Sequence, residues 1–184
     1  MIQSQRITLR HVTEADLPIL ERSACDPVAR GEHTSIRMVS PQRVRARFAE
    51  DGFSSEDHER LLICDESGSV IGDVVHFKAK RYSDTREVGW SIFDPAKRGQ
   101  GYASEAVNAL IDYLFRALPI NRVECNTAPD NLPSLRMAEK CGFVREGVLR
   151  GYMFANGAYI DSVVLSVLRS EWAERRAQRA NAVG

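Results

Sequence analysis

Between Asp94 and Ser104 the chain reads Asp-Pro-Ala-Lys-Arg-Gly-Gln-Gly-Tyr-Ala-Ser. Two glycines, Gly99 and Gly101, stand where a strand-like segment, Glu87 to Phe93, hands over to a helical pattern that begins near Ala103. The first amides of a helix have no intrahelical acceptor, and the positive end of the helix dipole lies behind them. Glycine removes the Cβ that would hold a ligand away from the backbone. The amides of Gly99, Gln100, Gly101, Tyr102, Ala103 and Ser104 are therefore expected to form an anion cradle whose natural guest is a pyrophosphate. Arg98 either adds a charge to a phosphate or is an ordinary arginine on a solvated turn.

Three carriers of a pyrophosphate compete for this turn. A Walker A loop needs Gly-Lys-Ser/Thr at its end, and Gly101-Tyr102-Ala103 does not supply it. A dinucleotide fingerprint needs a third glycine where Ser104 stands. Glu124 lies at about the distance of the ribose-binding acid, but it falls within a strand, and no second βαβ array follows. The third carrier is an acyl-coenzyme A. Its chemistry with an amine needs a neutral nucleophile, a donor for the oxyanion and a proton or hydrogen bond for the departing thiolate. No protein nucleophile is required when both substrates are bound together. Cys125 is read as a buried structural thiol and not as an acyl carrier.

The elements that must position this turn follow from periodicity. Ile7 to Arg10 alternates as a strand, and Thr13-Glu14-Ala15-Asp16 caps a helix running from Leu17 to Ala24. Ser40 and Pro41 open a second helix that reaches about Glu50, and Gly52 to Glu59 reads as loop. Arg60 to Asp65 and Val70 to Lys80 form a hairpin, extended by a third strand, Arg86 to Phe93. Apolar residues at 103, 106, 107, 110, 111, 114 and 118 predict a helix closed by Pro119. Arg122 to Thr127 alternates again, so strand, helix and strand make a parallel pair, 86–93 beside 122–127. A short helix, Leu132 to Lys140, ends at Cys141-Gly142, and two strands, 144–154 and 159–168, flank Asn156-Gly157. The order is that of an α+β domain around one mixed sheet. The last residues, 171–184, read as a polar tail that Trp172 docks, after a domain spanning 1–170.

The bulk numbers exclude several classes. The 25 basic side chains balance 25 acidic ones, so no net field draws nucleic acid or an anionic membrane. No apolar run is long enough to span a bilayer, and Met1 to Arg6 has no secretory apolar core, so a cytoplasmic protein is expected. Four cysteines and four histidines are scattered without metal-ligand spacing, so no metal is expected and the thiols are read as reduced.

Arg98-Gly99-Gln100-Gly101-Tyr102-Ala103 resembles the Gln/Arg-x-x-Gly-x-Gly/Ala signature of the GNAT superfamily of acyl-CoA-dependent N-acyltransferases. Asp94-Pro95 before it, and Asn131-x-x-Ser134 with Glu139-Lys140-Cys141-Gly142-Phe143 after it, are similar to that superfamily too. Gly142 to Arg150, Asn156 to Asp161, Ile7 to Arg10 and Asp26-Pro27-Val28 resemble its RimJ/RimL-like branch, which acetylates ribosomal-protein N-termini. The resemblance implies a mostly antiparallel mixed sheet whose central parallel strands splay apart, with flanking helices. It implies acetyl-CoA as co-substrate, its pantetheine arm between the strands beside main-chain groups of Phe93 and Ile92. It also implies direct attack by a primary amine in a ternary complex. The superfamily's usual tyrosine acid, seven residues after the asparagine, is replaced here by Ala138, so Ser134 is the expected partner of the sulfur or of its bound water. Glu87 is the expected base; it is equally readable as a solvated strand carboxylate. Tyr152 and Asp161 are expected at the amine.

The acceptor stays open between a protein N-terminus and a small amine such as an aminoglycoside or polyamine. Succinyl-CoA stays open as donor, and a non-catalytic acyl-CoA sensor as an alternative role. Substrate walls are expected from residues 25–60, including Arg30-Gly31-Glu32-His33, and from the last hairpin. The hairpin and the Trp172 segment also suggest, by analogy, a homodimer.

Overall fold

A computed structural model of the protein describes residues 1–26, 33 and 37–183. Pro27, Val28 and Arg30 to Glu32, quoted above, lie outside the described residues. The chain forms strands β1 (Ile2–Gln3) and β2 (Ile7–His11), helices α1 (Leu17–Cys25) and α2 (Pro41–Asp51), and strands β3 (His58–Asp65), β4 (Val70–Lys78) and β5 (Arg86–Ile92). Helix α3 (Tyr102–Ala117), strand β6 (Arg122–Thr127) and helix α4 (Leu132–Lys140) follow. Strands β7 (Val144–Ala155) and β8 (Ala158–Leu168) and helix α5 (Arg169–Val183) complete the fold. The strands make one sheet in the order β1-β2-β3-β4-β5-β6-β8-β7. Every neighbouring pair is antiparallel except β5 and β6.

The local rules act as their chemistry demands. Thr13 N–H and Oγ1 both donate to Asp16 Oδ2, at 2.8 and 2.7 Å, and Arg10 closes a fork on the same carboxylate at 2.7 and 2.8 Å. The Arg10 hydrogen bond lowers the Asp16 carboxyl to about 2, against its partial burial. Ser40 Oγ accepts from the Arg43 amide at 3.3 Å, with Pro41 in the first turn of α2. Asn156 (φ 51°) and Gly157 (φ 83°) are both left-handed, which is the turn that matches strand twist in a two-residue hairpin.

Two apolar layers sandwich the sheet. The larger packs α3 and α4 against one face through Val107, Leu110, Leu114, Leu135, Val123 and Leu165. The smaller packs Leu17, Leu20 and Val44 of α1 and α2 with Phe53 and Leu62 on the other face. Strand β3 starts at His58, inside the expected loop, because it already pairs with Phe77 of β4. The last segment is helical: Arg169 donates to the carbonyls of Phe115, Leu118 and Ile120 at 2.6–2.7 Å, capping α3, and Trp172 lies 5.4 Å from the Phe115 ring. Among the described residues no helix is long and apolar enough to cross a membrane.

Candidate active site

Strands β5 and β6 bridge at only two positions, Arg86 with Val123 and Glu87 with Glu124. Beyond Glu87 and Glu124 the strands part, and a cleft of about 960 Å³ occupies the opening. Val88 to Ile92, Asn126 and Thr127 line its walls, the turn from Lys97 to Ser104 lines its mouth, and α4 closes one side. A V-shaped gap in a sheet leaves main-chain groups without their ladder partners, so it suits a ligand that carries its own amides.

The turn at the mouth is tightly held. Gly99 (φ 73°) and Gly101 (φ 87°) both take the left-handed conformation that side chains with a Cβ resist. Asp94 Oδ1 accepts from the Ala96 amide at 2.9 Å, and Gln100 Nε2 donates to the Ala96 carbonyl at 2.6 Å. Arg98 lines the cleft and ties the turn to β5 through Nε to the Ile92 carbonyl at 3.0 Å. The Glu105 amide makes the first helical bond, to the Gly101 carbonyl at 3.0 Å, so the amides of Gly99 to Ser104 precede the helical ladder.

Charge around the cleft has one sign. Lys97, Arg98, Arg136 and Lys140 line it, and no Asp or Glu does among the described residues. In a chain with no net charge this is a local field for a polyanion. On α4, Asn131 Oδ1 accepts from the Ser134 amide at 3.3 Å, which caps the helix and turns Ser134 into the cleft wall. Ala138 is 0% exposed within the main core, so the helix presents no acid in place of the missing tyrosine.

A family model described as an acetyltransferase (GNAT) domain matches residues 6–144, a span that runs from β2 through the glycine turn to α4. The chain belongs to the GNAT acetyltransferases. It is 31% identical to the uncharacterized N-acetyltransferase p20 of Bacillus licheniformis, over 94% of this chain and 98% of that one. It is 23% identical to the [ribosomal protein uS5]-alanine N-acetyltransferase of Escherichia coli, over 91% of this chain and 80% of that one. Its fold matches a spermidine N-acetyltransferase from Vibrio cholerae, crystallised with CoA and spermine, at a TM-score of 0.80 and 23% identity over 91% and 98% of the two chains. The protein is thus an acetyl-CoA-dependent acetyltransferase on the mixed, mostly antiparallel sheet of that family. Among the described residues no group of His, Cys, Asp and Glu is placed to hold a metal ion.

The remaining expected residues of this GNAT enzyme scatter. Glu87 sits at the apex where β5 and β6 separate, outside the cleft lining. Burial raises its carboxyl, a hydrogen bond with Asn126 works against that, and the Glu124 charge adds to it. Glu124 is buried and engaged by Lys80 Nζ at 2.8 Å and Arg122 Nε at 2.6 Å. Those two cations hold it below the usual carboxylate range although burial opposes them. Ile92 lines the cleft. Phe93 does not: its amide already donates to the Ile71 carbonyl at 2.9 Å, and its ring packs on the smaller core. Tyr152 is 58% exposed and is not brought to the cleft. The pairing of β7 with β8 slips between Leu149 and Met153, and Gly151 N–H is held by Asp161 Oδ1 at 2.8 Å. That bulge turns both residues to the hairpin surface. Cys125 is buried and its thiol is pushed up by burial first and the Glu87 charge second; burial pushes Cys141 up to about 11. Neither is a thiolate nucleophile at neutral pH.

Sequence reasoning missed Arg6, Asn126, Arg136 and Lys140. The last two lie 35 and 39 residues after Gly101 and become site residues only because α4 closes the cleft. A count of cations on one helix face would have found them.

Proposed function

We propose that this GNAT enzyme acetylates a primary amine, either a protein N-terminus or a small molecule, by direct attack within a ternary complex. The single observation that carries the reading is the cleft itself: a left-handed glycine turn, four cations and Ser134 converge on the gap between β5 and β6, with no carboxylate in the lining among the described residues.

Amides of Gly99 to Ser104 hold the diphosphate of acetyl-CoA, with Arg98 supplying charge, while Asn131 fixes the helix that carries Ser134. The substrate brings a thioester already activated toward acyl transfer. Glu87, at the apex just beyond the cleft and with its pKa raised by burial, takes a proton from the incoming ammonium through an intervening water, so that the neutral nitrogen attacks the carbonyl carbon. The C–S bond then breaks; the thiolate, steadied by a hydrogen bond from the Ser134 hydroxyl, takes the second proton of the acylated nitrogen and leaves as coenzyme A. Ile92 stands beside the arm as wall. Polyamines are a second acceptor class, supported by the spermidine acetyltransferase among the relatives of this chain.

A homodimer through the last hairpin is supported by the exposed Phe154 and Tyr159, whose rings lie 5.2 Å apart on the open edge of the sheet. Light scattering after size exclusion tests it, and a monomer at micromolar concentration refutes it.

Coenzyme A release is measured with acetyl-CoA or succinyl-CoA against alanine- and serine-starting peptides, spermidine and an aminoglycoside. Turnover with acetyl-CoA and one amine class is expected. No release, with no thermal stabilisation by acetyl-CoA, refutes the reading.

A further inference from the structure

We propose that Arg6, just before β2, is a positioning residue that aims the amides of the glycine turn. Arg6 does not line the cleft; it grips the turn from behind. Its amide donates to Glu105 Oε1 at 2.7 Å and its Nε to Glu105 Oε2 at 3.0 Å, so one carboxylate locks both its main chain and its side chain. Its Nη1 donates to the Gln100 carbonyl at 3.2 Å. Its guanidinium lies 4.7 Å from the centre of the Tyr102 ring, and Lys97 Nζ lies 5.7 Å from the same ring.

The contact to Gln100 carries the argument. In a trans peptide the carbonyl oxygen of one residue and the amide hydrogen of the next point in opposite directions. Drawing the Gln100 carbonyl back toward Arg6 therefore turns the Gly101 N–H forward, toward the cleft that Gly101 lines. Two left-handed glycines without such a tie sample many conformations, and a ligand must then order them on binding. Glu105 is bound to Arg6 strongly enough to sit below the usual range: burial opposes this, and the Arg6 amide, Ser4 and the Arg6 guanidinium outweigh it. The clamp spans 94 residues of sequence, so the N-terminal strand sets the geometry of a turn half a chain away.

The inference rests on the diphosphate lying at this turn. The test compares Arg6→Ala, Arg6→Lys and Gly101→Val by titration calorimetry with coenzyme A, by KM and kcat with the best amine of the panel, and by Tm. Arg6→Ala is expected to raise the coenzyme A Kd and the acetyl-CoA KM about tenfold while kcat stays within about twofold. The amine KM stays unchanged. Arg6→Lys keeps the charge beside Glu105 without the fork and recovers part of the loss, to about threefold. A merely structural role lowers Tm and leaves the KM split absent. If Gly101→Val loses coenzyme A while folded Arg6→Ala binds like the wild type, the assignment of Arg6 is overturned and the diphosphate placement stands. If both variants bind like the wild type, the placement itself has failed. Should Arg6→Ala not fold, wild-type affinity in Arg6→Lys overturns the assignment.

Discussion

The glycine turn and the last hairpin are both tight bends built on left-handed residues, yet they are finished in opposite ways. The turn at 94–104 is tied at nearly every step: Asp94 to Ala96, Gln100 to Ala96, Arg98 to Ile92 and Arg6 to Gln100. The hairpin slips register twice along β7 and leaves Val148, Tyr152, Phe154 and Tyr159 exposed. A main-chain cradle recognises what every donor of this class shares, and it tolerates little movement. The contrast separates a tightly tied turn from an exposed, irregular edge on one sheet.

The sharpest way to break this contrast is Gly101→Val. A branched side chain at φ 87° is strained, and its Cβ would stand 3.3 Å from Arg6 Nη2, so coenzyme A binding is expected to fall below detection in calorimetry. Retained affinity would show that the tied turn tolerates change as readily as the exposed edge. Ser134→Ala is expected to lower kcat about 100-fold with the acetyl-CoA KM near normal; an unchanged kcat removes the hydroxyl from the reaction. Glu87→Gln is expected to cost about tenfold in kcat/KM at neutral pH. Its carboxylate must be ionised to accept a proton, and its pKa is raised, so wild-type kcat/KM rises with pH along a limb above the ordinary carboxylate range. The variant loses that limb, and a pH–rate profile with the limb intact clears Glu87 of the role. Tyr152→Ala is expected to change the acetyl-CoA KM less than about twofold, because the ring faces solvent. A tenfold rise would place the hairpin at the donor after all.

Local chemistry was legible. The Gly99–Gly101 spacing, the Asn156-Gly157 bend and the apolar stripe of α3 each depend on neighbours within a turn or two, and each stands where the pattern put it. Phe93 was expected from family likeness to offer main-chain groups; that its amide is committed to the Ile71 carbonyl is a cross-strand pairing no sequence pattern spells out. The exposure of Tyr152 was not legible because a register slip carries no letter of its own. Arg6 was invisible as a site residue because its partners are 94 and 99 positions away. The parallel pair was legible from strand–helix–strand order, whereas the point where it opens was an inference from family likeness.

The two-rung seam between β5 and β6 has one more consequence. Between the β1–β5 wing and the β6–β8 wing the backbone ladder is these two rungs, and the shared apolar core packs across the rest. A guest lying in the gap acts as the missing stave of a fence: it splints the wings together. Amide exchange along Val88 to Ile92 should therefore slow when acetyl-CoA arrives, far more than in β3 or β4, and the same enzyme should be hardest to pull apart in the moment before it reacts.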